Sequence, residues 1–178
     1  MPAKPPEDFR TGRLDSPAGV ILLVWDEAGA LRALDFADYE ARMHRLLRRQ
    51  YGGEVRLSPG TPPRALVEAL QAYFAGDLTA PDALTVQTGG TDFQRQVWAM
   101  LRRIPAGATW SYGDLARAIG RPKAVRAVGL ANGANPVAIV TPCHRVIGSD
   151  GSLTGYGGGL DRKRWLLAHE GVQGFEAA

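Results

Sequence analysis

A run of helix start and stop signals between Thr91 and Gly133 constrains this chain more tightly than any other feature. Thr91, three residues before Gln94, has the pattern of a capping box and opens a helix predicted over Phe93 to Arg103. Its expected buried stripe is Phe93, Val97, Met100 and Leu101, and Pro105-Ala106-Gly107 stops it. Ser111 with Asp114 three residues on caps a short helix to Ile119, and Gly120 suits a left-handed exit. Pro122 fits the first turn of the next helix, Lys123 to about Gly133. Two short helices joined by Gly120-Arg121-Pro122 make a helix-turn-helix.

The second of these helices contains Gly129 and Gly133, and an interior glycine costs a helix about 1 kcal/mol relative to alanine. Two reasons compete. One is tight packing on a neighbouring helix. The other is close approach of a ligand such as the DNA minor groove, only about 6 Å wide, against a thin face with Arg126 projecting from it. Composition does not decide between them.

The rest of the chain reads as a different kind of unit. Val20 to Trp25 is a β-rich apolar run, Asp26-Glu27-Ala28-Gly29 a turn, and Leu31 to Phe36 a returning strand, which together predict a hairpin. Tyr39 to Tyr51 has helical spacing, and its Arg42, Arg45, Arg48 and Arg49 read as a solvated face. Pro62 to Phe74 reads as another helix, with Leu66, Ala69, Leu70 and Phe74 on one side. The expected class is therefore α+β. A flexible tail over 1–12 precedes a small N-terminal α/β-like domain with a strand hairpin over 13–90. A mostly helical domain containing the helix-turn-helix follows over 91–178, with Gly89-Gly90 as the linker.

Charge is divided unevenly between the two parts. The chain of 178 residues carries +3 overall, yet residues 1–91 sum to −2 and residues 92–171 to +6. A polyanionic partner or a solvated basic face both account for this. No apolar run approaches the roughly 20 residues that span a bilayer, and the start resembles no secretory signal. The one cysteine excludes an internal disulfide, which points to a reducing, cytoplasmic setting.

That cysteine stands in Pro142-Cys143-His144-Arg145-Val146. Positive neighbours favour thiolate, the nucleophilic form, so the pentapeptide is the first place to look for chemistry. A lone cysteine is otherwise a small buried hydrophobe.

Further stretches extend the pattern around it: Ser111-Tyr112-Gly113-Asp114-Leu115-Ala116, Arg121 to Gly129, Asn135-Pro136-Val137, Gly155-Tyr156-Gly157-Gly158-Gly159-Leu160 and Lys163 to Gly171. In this order and spacing, residues 91–171 closely resemble the O6-alkylguanine-DNA alkyltransferases. The resemblance implies a single-turnover DNA repair protein that flips O6-alkylguanine out of duplex DNA and moves the alkyl group irreversibly onto Cys143. Flipping is physically required, because a stacked base hides its O6 substituent from in-line attack. The resemblance also implies His144 as base through a bridging water and Glu170 as its orienting partner. Asn135 would anchor the active-site turn, and Tyr112 would contact the 3′ phosphate and donate to the leaving guanine. Arg126 would fill the space the base vacates, with Ala124, Ala127, Gly129 and Ala131 against the DNA. Tyr156, Gly157, Gly158 and Val146 would form the substrate pocket, the triple glycine widening it.

No cofactor and no metal are expected; Cys143, His44, His144 and His169 are the only candidate zinc ligands of those types. The implied partner is double-stranded DNA containing O6-alkylguanine, met by a monomer. Competing readings are a non-catalytic protein that binds alkylated-DNA lesions, a Cys-His-Glu hydrolase and a plain helix-turn-helix regulator.

Overall fold

The structure is a computed structural model that describes residues 7–176. Four strands, β1 (Glu7–Leu14), β2 (Ile21–Trp25), β3 (Leu31–Phe36) and β4 (Val55–Pro59), form a sheet in the order β3-β2-β1-β4. The expected hairpin is β2–β3, closed by Asp26, which accepts hydrogen bonds from Gly29 N and, through its side chain, Ala30 N. Every residue of β2 is buried, because both faces of the sheet are covered. Alternation sends Ile21, Leu23 and Trp25 toward Leu66, Leu70 and Tyr73 of α2 (Arg64–Phe74), while Leu22 and Val24 face Met43 and Leu47 of α1 (Glu40–Tyr51).

The expected tail over 1–12 needs correction. Residues 1–6 lie outside the described residues, but Glu7 to Gly12 belong to β1. This strand pairs antiparallel with β2, Arg10 opposite Trp25, and parallel with β4, Phe9 opposite Leu57. Its main chain is bonded on both sides while only Phe9 among its side chains is buried. A strand held this way carries little apolar pattern, which is why its composition read as a tail.

The second part contains α3 (Asp92–Leu101), α4 (Tyr112–Ala118), α5 (Val125–Gly133) and α6 (Leu160–His169), with a short parallel pair, β5 (Trp110–Ser111) and β6 (Val146–Ile147). The fold is α+β, as expected. Both capping boxes form: Thr91 Oγ1 accepts from Gln94 N at 3.1 Å and Ser111 Oγ from Asp114 N at 3.0 Å, each returned by the partner's side chain. Gly120 leaves α4 at φ +75°. Pro122 does not open α5, however. It lies in a turn closed by Ala124 N donating to Arg121 O at 2.9 Å, and α5 starts only at Val125.

The two parts share main-chain hydrogen bonds. Leu34 N of β3 donates to Pro136 O, and Ala138 N donates back to Leu34 O, both at 3.0 Å. The segment leading to Cys143 therefore runs beside the edge of the N-terminal sheet, where Val137 to Val140 join the core. No helix among the described residues is long and apolar enough to cross a membrane.

Candidate active site

Cys143 is delivered by a chain of tight turns. Asn135 holds the first: its Oδ1 accepts from Val137 N at 3.0 Å, and its Nδ2 donates to Thr141 O at 2.8 Å and to Val137 O at 3.3 Å. Val140 N donates to Ala138 O across Ile139, whose φ of +69° is unusual for a β-branched residue and marks the rarer, strained form of γ-turn. A second three-residue turn follows, with Cys143 N donating to Thr141 O at 2.8 Å. Cys143–Arg145 then forms a 3₁₀ turn. With about three residues per turn, its consecutive side chains fan apart, so the thiol, imidazole and guanidinium take three directions.

His144 points to the back of the site. Its Nε2 lies 2.9 Å from Glu170 Oε2, and both side chains are fully buried. Arg145 grips the same carboxylate as a fork, Nε to Oε1 at 2.8 Å and Nη2 to Oε2 at 2.9 Å, while its Nη1 donates to Ile104 O. Tyr73, from α2 in the N-terminal part, donates its hydroxyl to Glu170 Oε2 at 2.6 Å. Burial alone would push the Glu170 carboxyl up, but His144 and the Arg145 fork together hold it well below the usual carboxylate range. Burial pushes the His144 imidazole down, and Glu170 offsets this only in part. The ring is therefore neutral beside an anion that can only accept. Its proton must sit on Nε2, leaving the lone pair on Nδ1, an atom with no hydrogen-bond partner among the described residues.

In front lies a cavity of about 190 Å³ with Cys143 in its wall. Burial pushes the Cys143 thiol up; the Asn135 hydrogen bond and the charges of Arg42 and Lys163 pull it back. This overturns the expectation that its sequence neighbours hold it as thiolate. Arg145 is committed to Glu170, His144 is neutral, and the cations that act on the sulfur come from α1 and α6. Lys163, also buried, donates to Val146 O at 2.6 Å and Thr154 O at 2.7 Å, fixing the loop over the cavity, and burial brings its ammonium down to about 8.

Arg42 is the second correction. Rather than facing solvent, it bonds Asp35 at 2.7 Å, donates to Gly133 O at 3.1 Å and Asn135 O at 3.5 Å, and lines the cavity. It also explains Gly157, where a Cβ would stand 2.2 Å from the guanidinium carbon. At Gly158 a Cβ would come within 2.6 Å of the Phe36 ring. These two glycines let the N-terminal part close on the loop.

The other expected site residues divide. Tyr112, Gly129, Tyr156 and Gly157 line the cavity with Cys143, and Tyr112 Oη lies 3.0 Å from Thr154 Oγ1. Arg126 and Ala127 are exposed on α5, with Ala124 partly covered at its start. Ala131 is not on that face. It is buried in the core of the C-terminal part, and its carbonyl accepts from Trp98 Nε1 at 2.8 Å, so DNA cannot touch it. Val146 and Gly158 are not cavity wall either: Val146 is buried in the same core and Gly158 packs on Phe36. The sequence does not disclose Tyr73, Arg42, the cavity-lining Asn132 or the structural work of Lys163 and Arg145. Lys163 and Arg145 stand within the recognisable stretches, whereas Tyr73 and Arg42 carry no local signal. No group of three or more potential metal ligands occurs among the described residues.

Comparison with known proteins bears on this geometry. Residues 10–88 match the family model described as 6-O-methylguanine DNA methyltransferase, ribonuclease-like domain, and residues 92–172 match the corresponding DNA binding domain. The methylated-DNA–protein-cysteine methyltransferase of Salmonella typhimurium is 52% identical over 161 residues, covering 89% of this chain and 94% of that protein. A Methanosarcina acetivorans protein of the same name is 46% identical over 160 residues, covering 88% and 95%. Among solved structures, Mycobacterium tuberculosis OGT in complex with DNA superposes with a TM-score of 0.74 at 46% identity, covering 92% of each chain.

Proposed function

Since this chain belongs to the 6-O-methylguanine DNA methyltransferase family and repairs DNA by alkyl transfer, we propose that Cys143 is the alkyl acceptor and O6-alkylguanine in duplex DNA its substrate. The observation that carries this is the placement of the only cysteine in the wall of a cavity, next to a neutral histidine whose other nitrogen is fixed by a buried carboxylate. The lesion base turns out of the stack into the cavity between Tyr112, Tyr156 and Gly129. The Cys143 proton passes through a bridging water to His144 Nδ1, and Glu170 stabilises the imidazolium that forms. The sulfur lone pair attacks the alkyl carbon, the carbon–O6 bond breaks, and the thioether remains on Cys143. Tyr112 donates to the leaving guanine, where negative charge develops.

Burial favours the protonated thiol, so the bridging water and His144 take its proton as part of the reaction. Asn135 holds the turn that aims the sulfur. Arg126 fills the space left by the base, with Ala124, Ala127 and Gly129 giving the close approach the groove requires. The protein acts as a monomer in the cytoplasm. It is organised as two domains meeting at Gly89-Gly90, a division that the two family matches support.

Intact mass measurement after incubation with a duplex carrying one O6-methylguanine tests the reading. One added methyl group per molecule, mapped to Cys143, is expected. Selective binding with no mass gain would make this a lesion-recognition protein instead.

A further inference from the structure

The Cys143 cavity is lined on one side by α5, through Gly129, the buried Asn132 and the exposed Gly133. A base entering from a duplex therefore brings that duplex across the outer face of α5. Ala127, Gly129 and Gly133 trim part of that face, and nothing inside the chain demands the two glycines. A Cβ at Gly129 would meet the Tyr112 ring at an ordinary 3.7 Å, and one at Gly133 would meet nothing within 4 Å. Of the two explanations for these glycines, close approach from outside is the one that survives.

Against this trimmed face one apolar side chain stands out. Leu130 is 74% exposed, the most exposed of the three large apolar residues left open to solvent among the described residues. A second, Val125, opens the same helix. Arg126, Leu130 and Gly133 follow i, i+4, i+7 spacing and so share one face, with Leu130 one turn beyond the arginine. Arg121, Lys123 and Arg126, all exposed, give this edge the positive charge that phosphates would meet. A large apolar side chain next to a cation, on a helix thin enough for a narrow groove, is what a wedge between base pairs requires.

We propose that Leu130 is an apolar wedge that enters the minor groove beside Arg126 and opens the base step next to the lesion. This rests on the reading that α5 meets the duplex. Arg126 then occupies the vacated space while Leu130 keeps the neighbouring step unstacked. Its contribution falls on extrusion of the base and not on the chemistry at sulfur.

The test compares Leu130→Ala and Leu130→Met with wild type on three substrates: a duplex with one O6-methylguanine, the same strand alone, and free O6-benzylguanine. For Leu130→Ala the duplex rate falls about tenfold, a modest part of the cost of unstacking one step. Rates on the single strand and free base stay at wild-type values, and Leu130→Met recovers most of the duplex rate. The salt dependence of duplex affinity is unchanged, because leucine displaces no counterions. An unaltered duplex rate, or equal losses on all three substrates, overturns the wedge. So does a wild-type dimer that Leu130→Ala disperses without changing duplex repair, which would assign the face to a second copy. A wild type that alkylates Cys143 from none of the substrates brings down the proposed function first, and the wedge with it.

Discussion

The two sides of the Cys143 cavity are built on different plans. Behind the sulfur, Glu170 accepts from His144, from both arms of Arg145 and from Tyr73, and all four side chains are buried or nearly so. In front, α5 turns Arg126, Ala127 and Leu130 to solvent, and Arg126 makes no hydrogen bond or ion pair among the described residues. The rear is part of the folded core and draws on both halves of the chain. The front is a surface whose side chains acquire partners only from outside. Damage to the rear should therefore harm stability and every substrate alike, while damage to the front should leave the fold intact and penalise only stacked DNA.

The largest effect belongs to the residue where the two sides meet. Cys143→Ala should abolish transfer while lesion binding persists, read by mass and by mobility shift; any stoichiometric methylation elsewhere would move the acceptor. Glu170→Gln comes next. It leaves the Arg145 guanidinium buried without its counter-charge, so urea unfolding should show a loss of about 3–5 kcal/mol. Rates on duplex and on O6-benzylguanine should fall together; a loss confined to duplex would break the proposed division.

Arg126→Ala tests the opposite side. The duplex rate should drop roughly a hundredfold, on the scale of the cost of flipping a base, with the melting temperature and the free-base rate unchanged. Equal losses on both substrates would remove its role in extrusion. Tyr73→Phe deletes one hydrogen bond to the buried carboxylate and should cost about 1.5 kcal/mol of stability, with the ring's packing kept. No change would mean that Glu170 needs only its two charged or basic partners.

The smallest effect is one of pH. His144 has its folded pKa lowered by burial, so the neutral base persists below its ordinary value of about 6.5. The free-base reaction should therefore keep its rate to lower pH than an imidazole of ordinary pKa would allow. A midpoint near 6.5 would show His144 titrating as if exposed. Stability behaves differently in the same window. The unfolded chain binds a proton at His144 that the folded one refuses, so stability should decline as pH drops through 6.5. It should decline again below the ordinary glutamate range, where the unfolded chain takes up a proton that folded Glu170 does not.

What could be read from the sequence follows the range of the interactions. Both capping boxes were legible because donor and acceptor lie three residues apart, and the β2–β3 hairpin because its turn is local. The segment Pro142 to Val146 was legible as chemistry, and its resemblance to a known family supplied Glu170 and Asn135. Arg42 is misread because, on a helix bearing four arginines, spacing cannot tell which one Asp35 and the carbonyls of Gly133 and Asn135, 91 and 93 positions away, will capture. Tyr73 carries no local signal; its hydroxyl acquires a role only when the end of α6 brings Glu170 to it, 97 positions away. β1 escaped notice for a related reason, since a strand bonded on both edges by main chain needs little apolar pattern of its own. Ala131 was misplaced by composition: alanines on a thin helix look alike until packing decides which of them face inward.

The burial of Cys143 has a consequence for how long the protein lasts in waiting. As the proposed alkyl acceptor, consumed by its first alkyl group, this thiol is a reagent held in store, and anything else that reacts with it depletes the stock. Peroxides, disulfides and stray electrophiles attack thiolate, and attack it where it is exposed. At 6% exposure and with its acidity suppressed, the sulfur offers them little of either. The cavity thus sets a shelf life as well as a reaction path, keeping each molecule unspent until a damaged base enters it.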